Sequence, residues 1–329
     1  MEPEALTILG GGSWGTALAV RLAPRFARIY WWVRDPAQAN TLATNRENAR
    51  YLPGYKIPEN VLVSHAPQFA PWVLSVVPSA HLRPALAAHL PPHPVRAISA
   101  TKGLEPNTFL RMSGILAQEW QASLAGPPAA LSGPTFAKEI AAGLPAAIVV
   151  ASEDAAFAEA IQRAFAGDGL RLYTNGDICG VELAGALKNC LAVAAGAVEG
   201  LGAGSNSLAA LITRGLAEIS RLVEAAGGRA STVSGLAGLG DLVLTCTGQL
   251  SRNRRVGIEL AKGRTLGDIL ADSSMIAEGV ATTPVALALA AKLGVELPIT
   301  NAVAKMLAGA PARLALQELV DRAPKREGV

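Results

Sequence analysis

The chain has 329 residues, of which 50% are apolar and 17% charged, and its formal net charge is +3. That length allows two domains with a core each, and the apolar content excludes a disordered chain. The near-neutral balance, with no basic run interleaved with aromatics, excludes a nucleic-acid surface as the leading reading. In chain order, LTIL (6–9) reads as a first strand, followed by a glycine turn and a helical pattern, WGTALAVRLAP. IYWWV (29–33), WVLSVV (72–77), VRAIS (95–99), AALSG (129–133) and AAIVVAS (146–152) read as further strands, with helical patterns between several of them. This alternation predicts a mostly parallel sheet covered on both faces. After about Asp177 the strands stop, and Ala-, Leu- and Gly-rich helical pattern runs on through SLAALITRGLAEISRLVEAAGG and TPVALALAAKLG.

Gly10-Gly11-Gly12-Ser13-Trp14-Gly15 matches GxGxxG directly after a strand and before a helix. In that context Gly10 makes the turn, Gly12 lets the backbone approach a pyrophosphate, and Gly15 permits close helix packing. The predicted architecture is therefore an α/β N-terminal domain with a Rossmann-type doubly wound sheet over 1–177, joined to an all-α C-terminal domain over 178–329. Val33-Arg34-Asp35 closes the second strand, where an acidic residue holds the ribose of NAD and an arginine accommodates the extra phosphate of NADP. Both are present, and Arg34 leans the reading toward NADP or toward use of both cofactors.

VELAGALKNCLAVAAGAV (181–198) raises a different question, because Lys188 is the only charge between Leu183 and Val198. An ammonium taken out of water costs several kcal/mol unless it is paired, wet or deprotonated. Either Lys188 lies on a polar edge and snorkels to solvent, or it faces a cleft as a general acid/base. Other polar stretches stand apart from the core pattern. ATKGL places Lys102 after a strand, SGPTFAKEIAAGLP places Gly133 and Thr135 ahead of a helix, and GLGDLVLTCTGQLSRNRRVG contains Asp241 and then Ser251, Arg252 and Asn253. Serine, guanidinium and amide at a helix start suit a phosphate monoester, because charge-assisted hydrogen bonds replace its water.

Together GGGSWGTALA, VVPS, ATKGLE, SGPTFAKE, LKN, AGLGDLVLTCT and SRNRR, in that order, resemble the bacterial NAD(P)-dependent sn-glycerol-3-phosphate dehydrogenase family. ITRGLAE (212–218) and Ala277-Glu278-Gly279 extend the match. The resemblance implies reversible hydride transfer between NAD(P)H and dihydroxyacetone phosphate, giving sn-glycerol 3-phosphate for phospholipid synthesis. It implies cofactor contacts at Ser13, Trp14, Arg34, Tyr51, Lys102, Ala137, Arg252, Ile276 and Glu278. It implies substrate contacts at Lys102, Gly133, Thr135, Lys188, Asp241, Ser251, Arg252 and Asn253, with Lys188 as proton acceptor in alcohol oxidation. Asp241 is expected to orient Lys188 or a substrate hydroxyl. The family usually has alanine where this chain has Gly11, and residue 34 varies within it, which leaves the choice between NAD and NADP open.

Two other readings stand beside this one: another β-hydroxyacid-type dehydrogenase, acting on a carboxylate, and a dinucleotide sensor without turnover. Cys179, Cys190 and Cys246 form no CxxC and no zinc set, so buried thiols in a reducing compartment and no metal site are expected. His65, His81, His89 and His93 receive no catalytic role. No charged leader precedes an apolar run, and Gly, Pro or a charge interrupts every apolar stretch of about 18 residues. A cytoplasmic enzyme of a small-molecule substrate is expected, with no nucleic-acid partner, no membrane span, and homodimer formation compatible with the sequence.

Overall fold

The computed structural model describes residues 4–272 and 277–323. It comprises two compact units, Met1–Lys102 with Leu110–Ile178, and Gly103–Phe109 with Cys179–Val329. In the first unit β1 (Ala5–Leu9), α1 (Ser13–Leu22), β2 (Arg28–Trp32) and α2 (Pro36–Asn45) lead into a small antiparallel pair, β3 (Glu47–Asn48) and β4 (Leu52–Lys56). Next come β5 (Val61–Ser64), β6 (Trp72–Ser75), α3 (Ser79–Ala87), β7 (Arg96–Ser99) and α4 (Met112–Glu119). The unit closes with β8 (Ala129–Ser132), α5 (Ala137–Ala141), β9 (Ala146–Ser152), α6 (Ala155–Phe165) and β10 (Leu170–Asn175).

These strands form an eight-stranded sheet in the order β10-β9-β8-β7-β6-β1-β2-β5. From β5 to β8 every pairing is parallel, and β8 meets β9 antiparallel. The chain winds outward from β1 to β5, then resumes at β6 on the other side of β1, so the switch point of the doubly wound sheet lies beside β1. Alternate strand residues enter different cores: Leu6, Ile8, Leu74 and Ile98 join one, and Leu9, Val73 and Ala97 the other. All six expected strands are present. The sequence reading missed β3, β4, β5 and β10, of which β5 and β10 are edges whose outward positions are exposed or half-buried and so lack a continuous apolar run.

The second unit is helical among its described residues: α7 (Ile178–Gly200), α8 (Gly204–Ala225), α9 (Ala230–Val233), a π-helical turn (Leu236–Gly240), α10 (Asp241–Thr247), α11 (Arg252–Ala261), α12 (Leu266–Ala271), α13 (Glu278–Leu293), α14 (Pro298–Leu307) and α15 (Ala312–Val320). The segment Gly103–Phe109 clusters with it, and Leu104 is buried in its core. α7 is long and apolar enough to cross a bilayer, yet 94% of its apolar stretch is buried inside the protein, as in a core helix. Every residue from 180 to 198 is buried, so α7 offers no solvated edge to Lys188.

Glycines let other helices close on α7. A Cβ at Gly196 would lie 1.9 Å from the Arg254 carbonyl oxygen, and one at Gly257 would lie 1.9 Å from that of Val193. α7 and α11 therefore touch backbone to backbone. α8 is fastened to α14 by the buried Glu218 carboxylate, which accepts from the N–H groups of Ile299 (2.8 Å) and Thr300 (2.9 Å) and from the Thr300 hydroxyl (2.6 Å). Neither backbone can yield locally at the α7/α11 crossing. Gly257→Ala is expected to lower stability by about 2 kcal/mol or more, read as a lower urea midpoint, whereas Gly267→Ala, where a Cβ would meet only Thr265 Oγ1 at 3.8 Å, leaves the crossing intact.

Candidate active site

β1 ends at Leu9 and α1 begins at Ser13, so Gly10, Gly11 and Gly12 make the whole connection. Gly10 has φ +123°, and a Cβ there would lie 3.0 Å from the Val76 carbonyl just after β6; one at Gly15 would lie 2.0 Å from the Gly10 oxygen. Packing alone demands glycine at both positions. At Gly12 it does not: φ is −83°, and a Cβ would meet nothing within 4 Å. A glycine that the protein does not need for itself suits a ligand that must approach the backbone closely. Among the described residues, no backbone or side-chain group accepts from the N–H groups of Gly11, Gly12, Ser13, Trp14 or Gly15. Such a row of donors at a helix start, at the switch point of the sheet, fits the pyrophosphate of a dinucleotide.

Ser13 and Trp14 are half-buried in the first turn of α1. Arg34 is exposed just beyond β2, while Asp35 turns its carboxylate to the Ala37 N–H (2.9 Å) and caps α2. Tyr51 lies between β3 and β4, with the Arg50 guanidinium 5.1 Å from its ring centre. At the carboxyl ends of β7 and β8 the structure brings three expected residues together. The Lys102 ammonium and the Thr135 hydroxyl both donate to the Gly133 carbonyl, each at 3.3 Å. Ala137 follows as the first residue of α5.

In the second unit the Lys188 ammonium donates to Asp241 Oδ1 at 2.8 Å and to Thr245 Oγ1 at 2.6 Å. The Thr245 hydroxyl donates in turn to the Asp241 carbonyl at 2.6 Å. Lys188 is 6% exposed and Asp241 is fully buried, so this is a desolvated ion pair, and the snorkelling reading of Lys188 is excluded. Asp241 meets the amine as expected. Thr245 was not foreseen, although its position one helical turn after Asp241 on α10 puts both on one face. Burial pushes the neighbouring Cys246 thiol up to about 12, so it is a neutral spacer near the pair.

α11 begins at the residues expected to bind a phosphate. Ser251 caps it, its Oγ accepting from the Arg254 N–H at 3.2 Å. Arg252 reaches the surface, yet packing around its guanidinium draws its pKa below the ordinary arginine value, against the opposing Glu278 carboxylate; it remains a full cation. Asn253 is bound within the protein through part of its amide. Its Nδ2 donates to Asn189 Oδ1 at 2.8 Å, and its Oδ1 accepts from the Gly279 N–H at 2.9 Å, so it ties α11 to α7 and to the start of α13. Asn189, the neighbour of Lys188, enters the site through this amide pair. Ile276 lies outside the described residues.

The chain matches the model of the NAD-dependent glycerol-3-phosphate dehydrogenase N-terminus over residues 5–158 and that of the C-terminus over residues 177–316. It is 49% identical to a glycerol-3-phosphate dehydrogenase (NAD(P)+) of Acidobacterium capsulatum, over 98% of this chain and 99% of that one. It is 47% identical to the protein of the same name from Citrifermentans bemidjiense, over 99% of each. Among solved structures, the glycerol-3-phosphate dehydrogenase of Coxiella burnetii superposes with a TM-score of 0.90 at 38% identity, over 97% of this chain and 99% of that one. The turn of amides, the buried lysine–aspartate pair and these full-length similarities agree, and the chain belongs to the NAD-dependent glycerol-3-phosphate dehydrogenase family.

Proposed function

We propose that the chain is an NAD(P)-dependent sn-glycerol-3-phosphate dehydrogenase that interconverts dihydroxyacetone phosphate and sn-glycerol 3-phosphate, in the cytoplasm and in supply of glycerophospholipid synthesis. The observation that carries this reading is the buried Lys188 ammonium on Asp241 and Thr245, in a chain about half identical to relatives of that name. In this reading the unit formed mainly by residues 1–177 holds the dinucleotide, and the helical unit from 178 onward supplies the proton and grips the substrate.

Reduction of a ketone adds a hydride at carbon and a proton at oxygen. A bound nicotinamide supplies the hydride. The N–H groups from Gly11 to Gly15 would hold its pyrophosphate, with Ser13 and Trp14 beside them, Arg34 on the ribose side, and Tyr51, Ala137 and Glu278 as further contacts. Lys188 does the proton chemistry: its N–H polarises the carbonyl, then breaks as the new O–H forms, and the electron pair stays on Nζ as a neutral amine. In the oxidising direction the neutral amine takes the hydroxyl proton back. Asp241 and Thr245 fix the direction of the amine, so little reorganisation is needed as the proton moves. Arg252, Ser251 and Asn253 would bind the phosphate, Asn253 also holding the helix start in place, while Lys102, Gly133 and Thr135 add contacts. The phosphate takes no part in bond making, and its binding energy positions the reacting carbon.

Purified protein is expected to oxidise NADH and NADPH when dihydroxyacetone phosphate is added, followed by loss of nicotinamide absorbance. A 3-oxo acid lacking the phosphate should give far less, and a sensor would give no change with either. Lys188→Ala should lower kcat by at least about a hundredfold; undiminished turnover would remove Lys188 from the reaction. Borohydride treatment with substrate should leave the mass of the intact chain unchanged, because hydride transfer needs no imine. Loss of the Arg34 cation acts on one cofactor only. Arg34→Ala should raise KM for NADPH by about tenfold while leaving KM for NADH within about twofold, and equal effects on the two would place Arg34 away from the 2′-phosphate.

A further inference from the structure

The carbonyl side of the glycine turn is as organised as its amide side. Trp31 Nε1 donates to the Gly10 carbonyl at 2.9 Å and Gln38 Nε2 to the Gly11 carbonyl at 2.8 Å. Asn48 Nδ2 donates to the Gly11 carbonyl at 3.1 Å and to Thr16 Oγ1 at 2.7 Å, and the Thr16 hydroxyl passes a hydrogen bond on to the Gly12 carbonyl at 2.8 Å. A trans peptide unit is planar, so its C=O and the following N–H point in opposite directions. Drawing the carbonyls of Gly10, Gly11 and Gly12 inward therefore turns the N–H groups of Gly11, Gly12 and Ser13 outward. The same bonds have a second effect. Gly10 and Gly11 carry the carbonyls that the Trp14 and Gly15 N–H groups would meet if α1 extended back by one turn. With those acceptors taken up by side chains, the amides of Trp14 and Gly15 stay available to an anion.

We infer that Asn48 and Gln38 are positioning residues of the dinucleotide site: their amides hold the turn carbonyls so that its N–H groups face the pyrophosphate. The inference rests on the reading that this turn binds a dinucleotide. Asn48 is 1% exposed, and both hydrogens of its Nδ2 are engaged. It is carried by β3, part of an insertion between α2 and β5 that takes no place in the main sheet. A buried amide brings a desolvation cost that an apolar residue would not, and here every donor it offers is spent on the turn. Gln38 reaches the same carbonyl from α2, on the half-exposed side.

Isosteric exchanges separate this role from bulk. Asn48→Asp keeps the shape but sets an acceptor against the Gly11 carbonyl, and Gln38→Glu does the same from a position where folding is not at stake; Gln38→Ala controls for the added charge. NADH binding without second substrate is followed by nicotinamide fluorescence, alongside kcat, both KM values and the urea midpoint. Asn48→Asp and Gln38→Glu are expected to raise the Kd for NADH by about tenfold or more. Gln38→Ala should move it less, in the same direction. kcat at saturating NADH and KM for dihydroxyacetone phosphate should stay within about threefold, as expected when only the binding of the cofactor changes. Wild-type NADH affinity in a folded Gln38→Glu protein overturns the inference, as does a loss of kcat and of both KM values that merely follows the urea midpoint. Failure of the unaltered protein to bind NADH overturns the dinucleotide reading itself, and is distinguished from the first result by that control.

Discussion

A single ammonium buried in an apolar helix is the constraint around which the helical unit is arranged. Lys188 cannot stay charged in the middle of α7 without a partner, and α10 supplies one through Asp241, with Thr245 a turn further along. Removing one member of such a pair leaves the other charge uncompensated, at a cost of about 3–5 kcal/mol. The pair also needs α7 to be immobile. Backbone contact at Gly196 and Gly257, the Asn189–Asn253–Gly279 bridge and the Glu218 fastening of α14 all restrict the helices that surround it. On the proposed mechanism a stability requirement and a chemical one are met by the same groups: the contacts that make the buried charge tolerable would also aim its proton.

In the proposed reading the two units would recognise anions by different means. In the first, neutral backbone N–H groups are lined up at the start of α1, and their direction is set from behind by Trp31, Thr16, Gln38 and Asn48. In the second, a cation on the first turn of α11 stands beside a capping serine. Backbone amides suit a pyrophosphate that must lie against the protein closely, where a side chain would intrude. A guanidinium suits a terminal phosphate ester, which it can grip by paired hydrogen bonds. The thiols stay out of both: burial raises Cys190 and Cys246 to about 12, so neither is a nucleophile near neutral pH.

Much of this was legible in the sequence, and what was not has physical reasons. Strands buried on both faces carry continuous apolar runs, so β1, β2, β6, β7, β8 and β9 stood out. β5 and β10 sit at the sheet edges and alternate with exposed residues, and β3–β4 is too short to show a period. Lys188 was conspicuous because nothing else near it is charged. Thr245 was hidden because a threonine in a helix is ordinary until Asp241 is known to face the amine. Asn48 was hidden for a similar reason: in the polar run NRENARY it reads as loop, and only the fold carries it to the Gly11 carbonyl 37 residues away in sequence. Asn253 carries a role that its type does not reveal: expected at the phosphate, it also bridges Asn189 and Gly279. Asp35, a plausible ribose acceptor by spacing, caps α2.

In the proposed mechanism Lys188 acts by giving up a proton and not merely by its charge. Chemical rescue tests this directly, by adding small amines to a Lys188→Ala protein and following NADH oxidation with dihydroxyacetone phosphate. Methylammonium and ethylammonium are expected to restore turnover in proportion to their concentration, while tetramethylammonium, a cation with no proton to give, restores none. Equal rescue by tetramethylammonium would contradict this mechanism and reduce Lys188 to an electrostatic role.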